Sequence, residues 1–348
     1  MTTTVEPALE VEQPTRAKNA ARGLGLVVLL GLLAVVCVLS ITLGSRGVGL
    51  GDIVRAFTDR DGSADATVIR DLRVPRTLLG LLCGAALGLG GAVMQGVTRN
   101  PLGDPGILGV NAGAAAFIVA GIALFGQQPL SVYIWFAFVG AGVATVVVYG
   151  VASFGREGAT PIKLALAGAA VSAGLYSVTT GVIVSNLEAL NQMRFWQVGA
   201  LAGRLWPELT QSAPFIVVGL LIALSLGRTL NGLALGEDAA VALGQNVRRT
   251  RVISFLAVTL LAGAATAACG PIVFIGLVLP HVARALCGPD YRWVLPYTAV
   301  LAPIVLLTAD IIGRLAVRPG ELQVGVVLGV LGAPAFIALV RSRKTSEL

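Results

Sequence analysis

The sequence predicts an all-α fold, a polytopic membrane helix bundle of about ten transmembrane helices per protomer with both termini cytoplasmic. Three observations carry this prediction. The 348-residue chain is 56% hydrophobic and only 12% charged, with a mean hydropathy of +0.86. A soluble domain is about 25% charged, so lipid must solvate most of this one. Apolar stretches of about twenty residues recur along the chain, each long enough to cross ~30 Å of hydrocarbon as a helix. Glycine is frequent, at 44 residues. It costs roughly 1 kcal/mol per residue in a soluble helix, but in membranes it lets helix backbones approach closely. Gly84 and Gly88, Gly109 and Gly113, and Gly325 and Gly329 form small-xxx-small pairs.

Residues 1–22 form a polar cytoplasmic tail ending in Arg16, Lys18 and Arg22. The apolar run 24–43 is long for a signal-peptide core and more spans follow, so it is read as a retained first helix. Residues 45–76 are a polar extracytoplasmic insert. Further spans fall at 77–97, 107–125, 130–151, 162–185, 213–230, 252–270, 271–287, 294–312 and 322–340. The stretch 252–287 is too long for one crossing of roughly 20 residues, and Gly270-Pro271 divides it.

Ten spans place both termini on one side, and the placement of Lys and Arg decides which. With the N-terminus inside, the inner set is Arg16, Lys18, Arg22, Arg99, Arg156, Lys163, Arg228, Arg248, Arg249, Arg251, Arg284, Arg292, Arg341, Arg343 and Lys344. The outer set (Arg46, Arg55, Arg60, Arg70, Arg73, Arg76, Arg194, Arg204, Arg314 and Arg318) is smaller. The outer acids, among them Asp52, Asp59, Asp61, Asp65, Asp71, Glu188, Glu208 and Glu321, accompany the outer cations. The net charge of +7 is thus the positive-inside pattern and implies no nucleic-acid partner.

Several chemistries are missing. No GxxxxGK[ST] occurs, and none of the three lysines (Lys18, Lys163, Lys344) follows a glycine, so the chain has no P-loop. His281 is the only histidine, and no catalytic or metal-binding constellation can be built from it. Cys37, Cys83, Cys269 and Cys287 lie in or beside apolar runs without a CxxC pair and read as apolar packing. Mid-span acids, the mark of ion-coupled carriers, are absent, since Asp310 falls near a helix end.

Four segments carry information. Asn231 to Arg251, NGLALGEDAAVALGQNVRRTR, is too polar to span but has helical runs of Ala, Leu and Val broken by Gly236 and Gly244. It suits either a partner groove or an ordinary surface loop. Arg73-Val74-Pro75-Arg76 lies at the outer mouth of the second span, where two arginines can pair with carboxylates or snorkel at the interface. Met94 to Gly113, with breaks at Asn100-Pro101 and Asp104-Pro105, is a tight inner connector. Cys269 to Arg284 contains Pro280 within an apolar helix, which frees a backbone carbonyl; His281 reads as a packing or capping residue.

These segments resemble the FecCD/BtuC-like permease family of iron-siderophore, haem and cobalamin ABC importers. The resemblance runs from about Arg73 to Leu339. It rests on RVPR at 73–76, MQGVTRNPLGDPGILGVNAGA at 94–114, FWQVGALAGRLW at 195–206 and LNGLALGEDAAVALG at 230–244. GPIVFIGLVLPHVAR at 270–284, ADIIGR at 309–314 and ELQVGVVLGVLGAPAFIALV at 321–340 follow in family order. Gly103 and Gln323 stand where the family more often has Ala and Pro.

The resemblance implies a ten-helix permease domain over 23–348 that dimerises with an identical copy or a close paralogue in the bacterial plasma (inner) membrane. Two ATP-binding subunits would hold the ATP and Mg; this chain would carry no cofactor, metal or catalytic residue. An extracytoplasmic substrate-binding protein would deliver a ferric siderophore, with haem or cobalamin as alternative cargo. The ATPase-coupling segment, cytoplasmic residues 230–251, would present Leu230, Asn231, Leu235, Gly236, Glu237, Ala240, Leu243 and Gly244. Arg73, Arg76 and Arg314 would meet acidic residues of the binding protein. Separately, the small polar residues Ser172, Ser177, Thr179 and Thr180 of the fifth span are candidates for the translocation path, although helix–helix hydrogen bonding explains them as well. Rival readings are a self-contained secondary transporter and a membrane-embedded enzyme.

Overall fold

The computed structural model describes residues 15–44, 49–58, 63–126, 128–154, 160–317 and 320–344. Residues 1–14 of the tail, and Arg46, Asp59, Arg60, Asp61, Arg156 and Arg318 of the charge sets, lie outside the described residues. Every regular element among the described residues is helical.

Helix α1 (Thr15–Thr42) is followed by the short α2 (Leu50–Thr58) and α3 (Ala64–Thr67). A π-helical turn, Val68–Arg73, runs from α3 into α4 (Val74–Thr98). After a 3-10 turn at Pro105–Leu108 come α5 (Val110–Phe125), α6 (Leu130–Ala152), α7 (Pro161–Ser185) and α8 (Leu187–Trp196). Then follow α9 (Trp206–Ser225), α10 (Gly227–Ala234), α11 (Glu237–Ala242) and α12 (Val247–Cys269). The last three are α13 (Ile275–Cys287), α14 (Tyr291–Ala316) and α15 (Val324–Lys344).

Each predicted span falls on one of these helices except 213–230, which begins inside α9 and runs past its end at Ser225 into α10; the crossing helix is shifted toward Trp206, where Pro207 is accommodated in its first turn. Seven are long and apolar enough to cross a membrane: Lys18–Thr42, Ala64–Thr98, Leu130–Ala152, Pro161–Ser185, Trp206–Ser225, Val247–Cys269 and Tyr291–Ala316. Val110–Phe125, Ile275–Cys287 and Val324–Ala338 are shorter apolar helices. The predicted break at Gly270-Pro271 is present. Gly270 closes α12 at φ +76°, and α13 starts only at Ile275, after Phe274 in the left-handed region at φ +69°.

Helix α4 is the central post, packed against α9, α12, α13 and α14. All of its residues from Cys83 to Thr98 are buried. The small residues explain how. A methyl group on Gly84 would run into the Pro303 backbone of α14, and one on Gly91 into the Gly276 carbonyl of α13. Glycine therefore sets the distance between these helices. Gly113 meets Gly140 of α6 in the same way, whereas Gly329 faces open space. Outer helices are less covered: α1 and α7 each bury only 17% of their most apolar window. Such unpaired apolar faces are what lipid or another membrane chain covers.

Candidate functional site

Helix α4, 25 residues long, separates two polar clusters by about 37 Å at ~1.5 Å rise per residue. One cluster surrounds the segment 230–251. The sequence already shows why this segment folds into pieces. Gly236 adopts φ +109° and Gly244 φ +78°, so each ends a short helix where other residues would be strained.

The eight residues expected to couple divide into holders and presenters. Leu230 and Ala240 are fully buried. Asn231 is a clip: its Nδ2 donates to Asp290 Oδ1 at 2.6 Å, and its Oδ1 accepts from the Tyr291 backbone N–H at 2.9 Å. Glu237 is a strut whose Oε1 accepts from Arg99 at the end of α4 and from Arg251 at the start of α12. Leu235 and Leu243 point outward, 70% and 64% exposed, beside Val241 at 60%. Three large apolar side chains thus stand on an otherwise charged end, held by polar contacts behind them.

Those contacts continue inward. Arg284 donates to Gln95 Oε1 at 2.8 Å and to the Tyr291 hydroxyl at 3.1 Å. Gln95 Nε2 donates to the carbonyls of Gly276 and Leu277. His281 is buried, with Nδ1 2.8 Å from the Leu277 carbonyl. Asp290 caps α14 by accepting from the Arg292 backbone N–H. Hydrogen bonds from Arg292 first, and from Asn231, outweigh burial and pull the Asp290 carboxyl down to about 2. Sequence reasoning missed Val241, Arg99, Arg251, Gln95 and Asp290. The first four lie within the singled-out segments, and only packing distinguishes them from their neighbours.

The other cluster contains Arg73, Arg76 and Arg314. It is internal. Arg73 donates to the carbonyls of Ile41 and Thr42 at 2.6 and 2.9 Å, and Arg314 to those of Ser40 and Leu43 at 2.8 and 3.0 Å. Together they satisfy the last carbonyls of α1, where the helix dipole favours cations. Arg314 also pairs with Asp310 at 2.9 Å. Arg76 holds Asp310 through two nitrogens and Glu321 at 2.8 Å. Its side chain is 12% exposed, against 3% for that of Arg314.

The four candidate path residues on α7 do not share one environment. Ser177 and Thr180 are exposed, Ser172 is half-buried and Thr179 is buried. Ser177 and Thr179 donate back to the carbonyls of Ala173 and Leu175 in their own helix, as hydroxyls in apolar helices do. Among the described residues no group of three or more His, Cys, Asp or Glu side chains is placed to hold a metal ion.

The model of the FecCD transport family matches residues 32–342. The ferric enterobactin transport system permease protein FepD of Escherichia coli (strain K12) is 48% identical over 317 residues, covering 91% of this chain and 94% of that one. The probable siderophore transport system permease protein YfiZ of Bacillus subtilis (strain 168) is 41% identical, covering 93% of this chain and 97% of its own. A solved structure assigned to a metal-chelate type ABC transporter, in an inward-facing conformation, superposes with a TM-score of 0.79 at 28% identity, covering 91% of this chain and 98% of that chain. With the family model spanning nearly the whole bundle and relatives this similar at full length, the chain belongs to the FecCD transport family.

Proposed function

We propose that the chain is the membrane-spanning permease subunit of an ATP-driven importer for a ferric siderophore. The near-full-length likeness to the ferric enterobactin permease carries this reading. The chain works as a dimer in the bacterial plasma membrane with an identical or paralogous copy. A binding protein delivers the chelate outside, and two separate subunits bind ATP and Mg and hydrolyse the ATP inside.

In this reading the seven long and three shorter apolar helices are ten crossings. Both termini lie on the cytoplasmic side, together with Arg99, Arg251, Arg284 and the segment 230–251. Leu235, Val241 and Leu243 enter a groove of the ATPase, and Glu237 transmits its movement to α4 and α12. Gly236 and Gly244 allow the segment to present that apolar edge. At the outer end Arg76 is the least covered of the three arginines. An acid of the docked binding protein competes with Glu321 for it, while Arg73 and Arg314 hold α1. The exposed face of α7, with Ser177 and Thr180, lines the path.

A Leu243→Asp variant tests the coupling assignment. It removes an exposed side chain with no internal role, so the protein inserts normally. Co-purification with the ATPase subunits falls about tenfold or more, the loss expected for one buried apolar anchor at an interface. Unchanged co-purification contradicts the assignment.

A further inference from the structure

Between α8 and α9 the chain is irregular over 197–205, and this stretch is lodged inside the bundle. The Ala200 N–H donates to the Cys269 carbonyl at 2.7 Å, and Gly325 at the start of α15 donates to the Gly199 carbonyl at 3.0 Å. Leu201 is fully buried. Non-helical backbone within a membrane bundle is tolerated where it is buried in protein or lines a cavity, and here it does both. A cavity of about 400 Å³ lies against it, bounded by Leu130, Gln192, Trp196, Gly203, Arg204 and Gln323. It lies at the same end of the bundle as Arg76, since the neighbouring Trp206 Nε1 donates to the Arg70 carbonyl.

Two residues that line this cavity carry donors without acceptors. Arg204 is 9% exposed and Trp196 5%. The Arg204 Nε–H and the Trp196 indole N–H are buried with no hydrogen-bond partner. Among the described residues Arg204 makes no ion pair. The nearby carboxylate, Glu208, acts on Arg204 only through its charge, without an ion-pair contact, and one of its oxygens accepts from the Leu205 N–H at 2.8 Å. An arginine buried without a directly paired carboxylate is costly, and an ionisable side chain of this kind inside a membrane bundle is a mark of a pathway or a binding site. The volume is that of a small-molecule pocket, and the two glutamines at its rim supply further donors.

We propose that Arg204 and Trp196 form a recognition point for the anionic oxygens of the chelate as it enters the permease, so that the pocket favours cargo of net negative charge. This rests on the importer reading above and adds the charge class of the cargo and the residues that read it. A carboxylate side chain of the docked binding protein has the same chemistry. The concave, nearly sealed position of the guanidinium favours the small ligand.

The test uses the permease dimer in nanodiscs without the binding protein. Equilibrium binding of two iron-55 probes is compared, a triply anionic ferric tris-catecholate and an uncharged ferric tris-hydroxamate. The wild type binds the anionic probe more tightly. Arg204→Gln weakens that binding about tenfold or more, the loss of a charge-assisted hydrogen bond, and leaves the uncharged probe unchanged. Arg204→Lys restores part of it. Trp196→Phe, which keeps an aromatic ring but removes the N–H together with part of the indole, gives a smaller loss confined to the anionic probe and serves if Arg204→Gln does not insert. Equal loss for both probes, or no loss for either, overturns the proposal. So does an Arg204→Gln variant that keeps chelate affinity but binds the binding protein more weakly. Failure of the importer reading is separate, because it appears as absence of ATP-dependent uptake by the wild-type complex.

Discussion

Asp310 is 1% exposed and faces two guanidiniums, those of Arg76 and Arg314. Arg314 in turn caps α1, so one side chain joins the last turns of two helices. Removing it leaves a buried carboxylate with half its compensation and takes the Arg314 donor from the Ser40 and Leu43 carbonyls, while Arg73 still serves those of Ile41 and Thr42. We expect Arg314→Met to destabilise the purified protein by about 3–5 kcal/mol, read as a lower melting temperature in detergent, because breaking a buried pair costs that much. The double variant Arg314→Met with Asp310→Leu should recover part of the loss. A single variant that melts like the wild type contradicts the capping role.

At the opposite end Asp290 is the residue to titrate. Its carboxyl is depressed from 3.8 to about 2, so the charged form is favoured by the fold. The stability it contributes is present above its ordinary pKa and is lost as pH falls through the folded value, between about pH 4 and pH 2. The melting temperature of the wild type should therefore fall more steeply over that window than that of Asp290→Asn. Parallel curves for the two proteins would remove Asp290 from the account. Asn231→Ala should shift the wild-type curve toward that of Asp290→Asn, since it removes one of the bonds that hold the carboxylate.

Among the elements, α4 tests the packing argument most sharply. Gly84→Val places a branched side chain against the backbone of Pro303, which cannot yield as a side-chain tip can. Overpacking of this kind costs about 1–3 kcal/mol, and the variant should melt earlier and lose yield in the membrane. The same substitution at Gly329, which meets nothing within 4 Å, should be nearly silent in the isolated chain. Equal melting of the two variants would mean that glycine does not set the spacing of α4 and α14.

The helices were legible in the sequence because twenty apolar residues between charged ones admit few readings. The pieces of the 230–251 segment were legible for a different reason: Gly236 and Gly244 end α10 and α11 where only glycine is comfortable. Element ends were less so. Helix α4 begins at Val74 rather than 77 because Pro75 is accommodated in its first turn. Helix α5 starts at Val110 rather than 107 because Gly109 turns left-handed at φ +74°. The short helix α8 was not foreseen. Asn186 caps it by accepting from the N–H groups of Glu188 and Ala189, a local signal hidden between two long spans.

At the scale of the molecule the bundle has two chemically distinct ends. One gathers arginines that fasten α1, α4 and α14 together; the other presents an apolar edge on a charged scaffold. That Glu237 and Leu243 sit together on the short segment between α9 and α12, the one proposed to couple, was legible from the string they belong to. Which of the eight residues hold the segment and which face outward was not, because burial depends on α4, α12 and α14, far away in sequence. The arginines show the same limit: RVPR reads as a surface motif, and only the tertiary structure reveals the α1 carbonyls that occupy Arg73.

The most direct test of the central claim is uptake of iron-55 ferric siderophore into proteoliposomes holding this chain with its ATPase subunits, with the binding protein added outside. We expect accumulation that needs both ATP and the binding protein and that survives collapse of the ion gradients by ionophores. Uptake without ATP that the ionophores abolish would contradict it and make the chain a self-contained carrier.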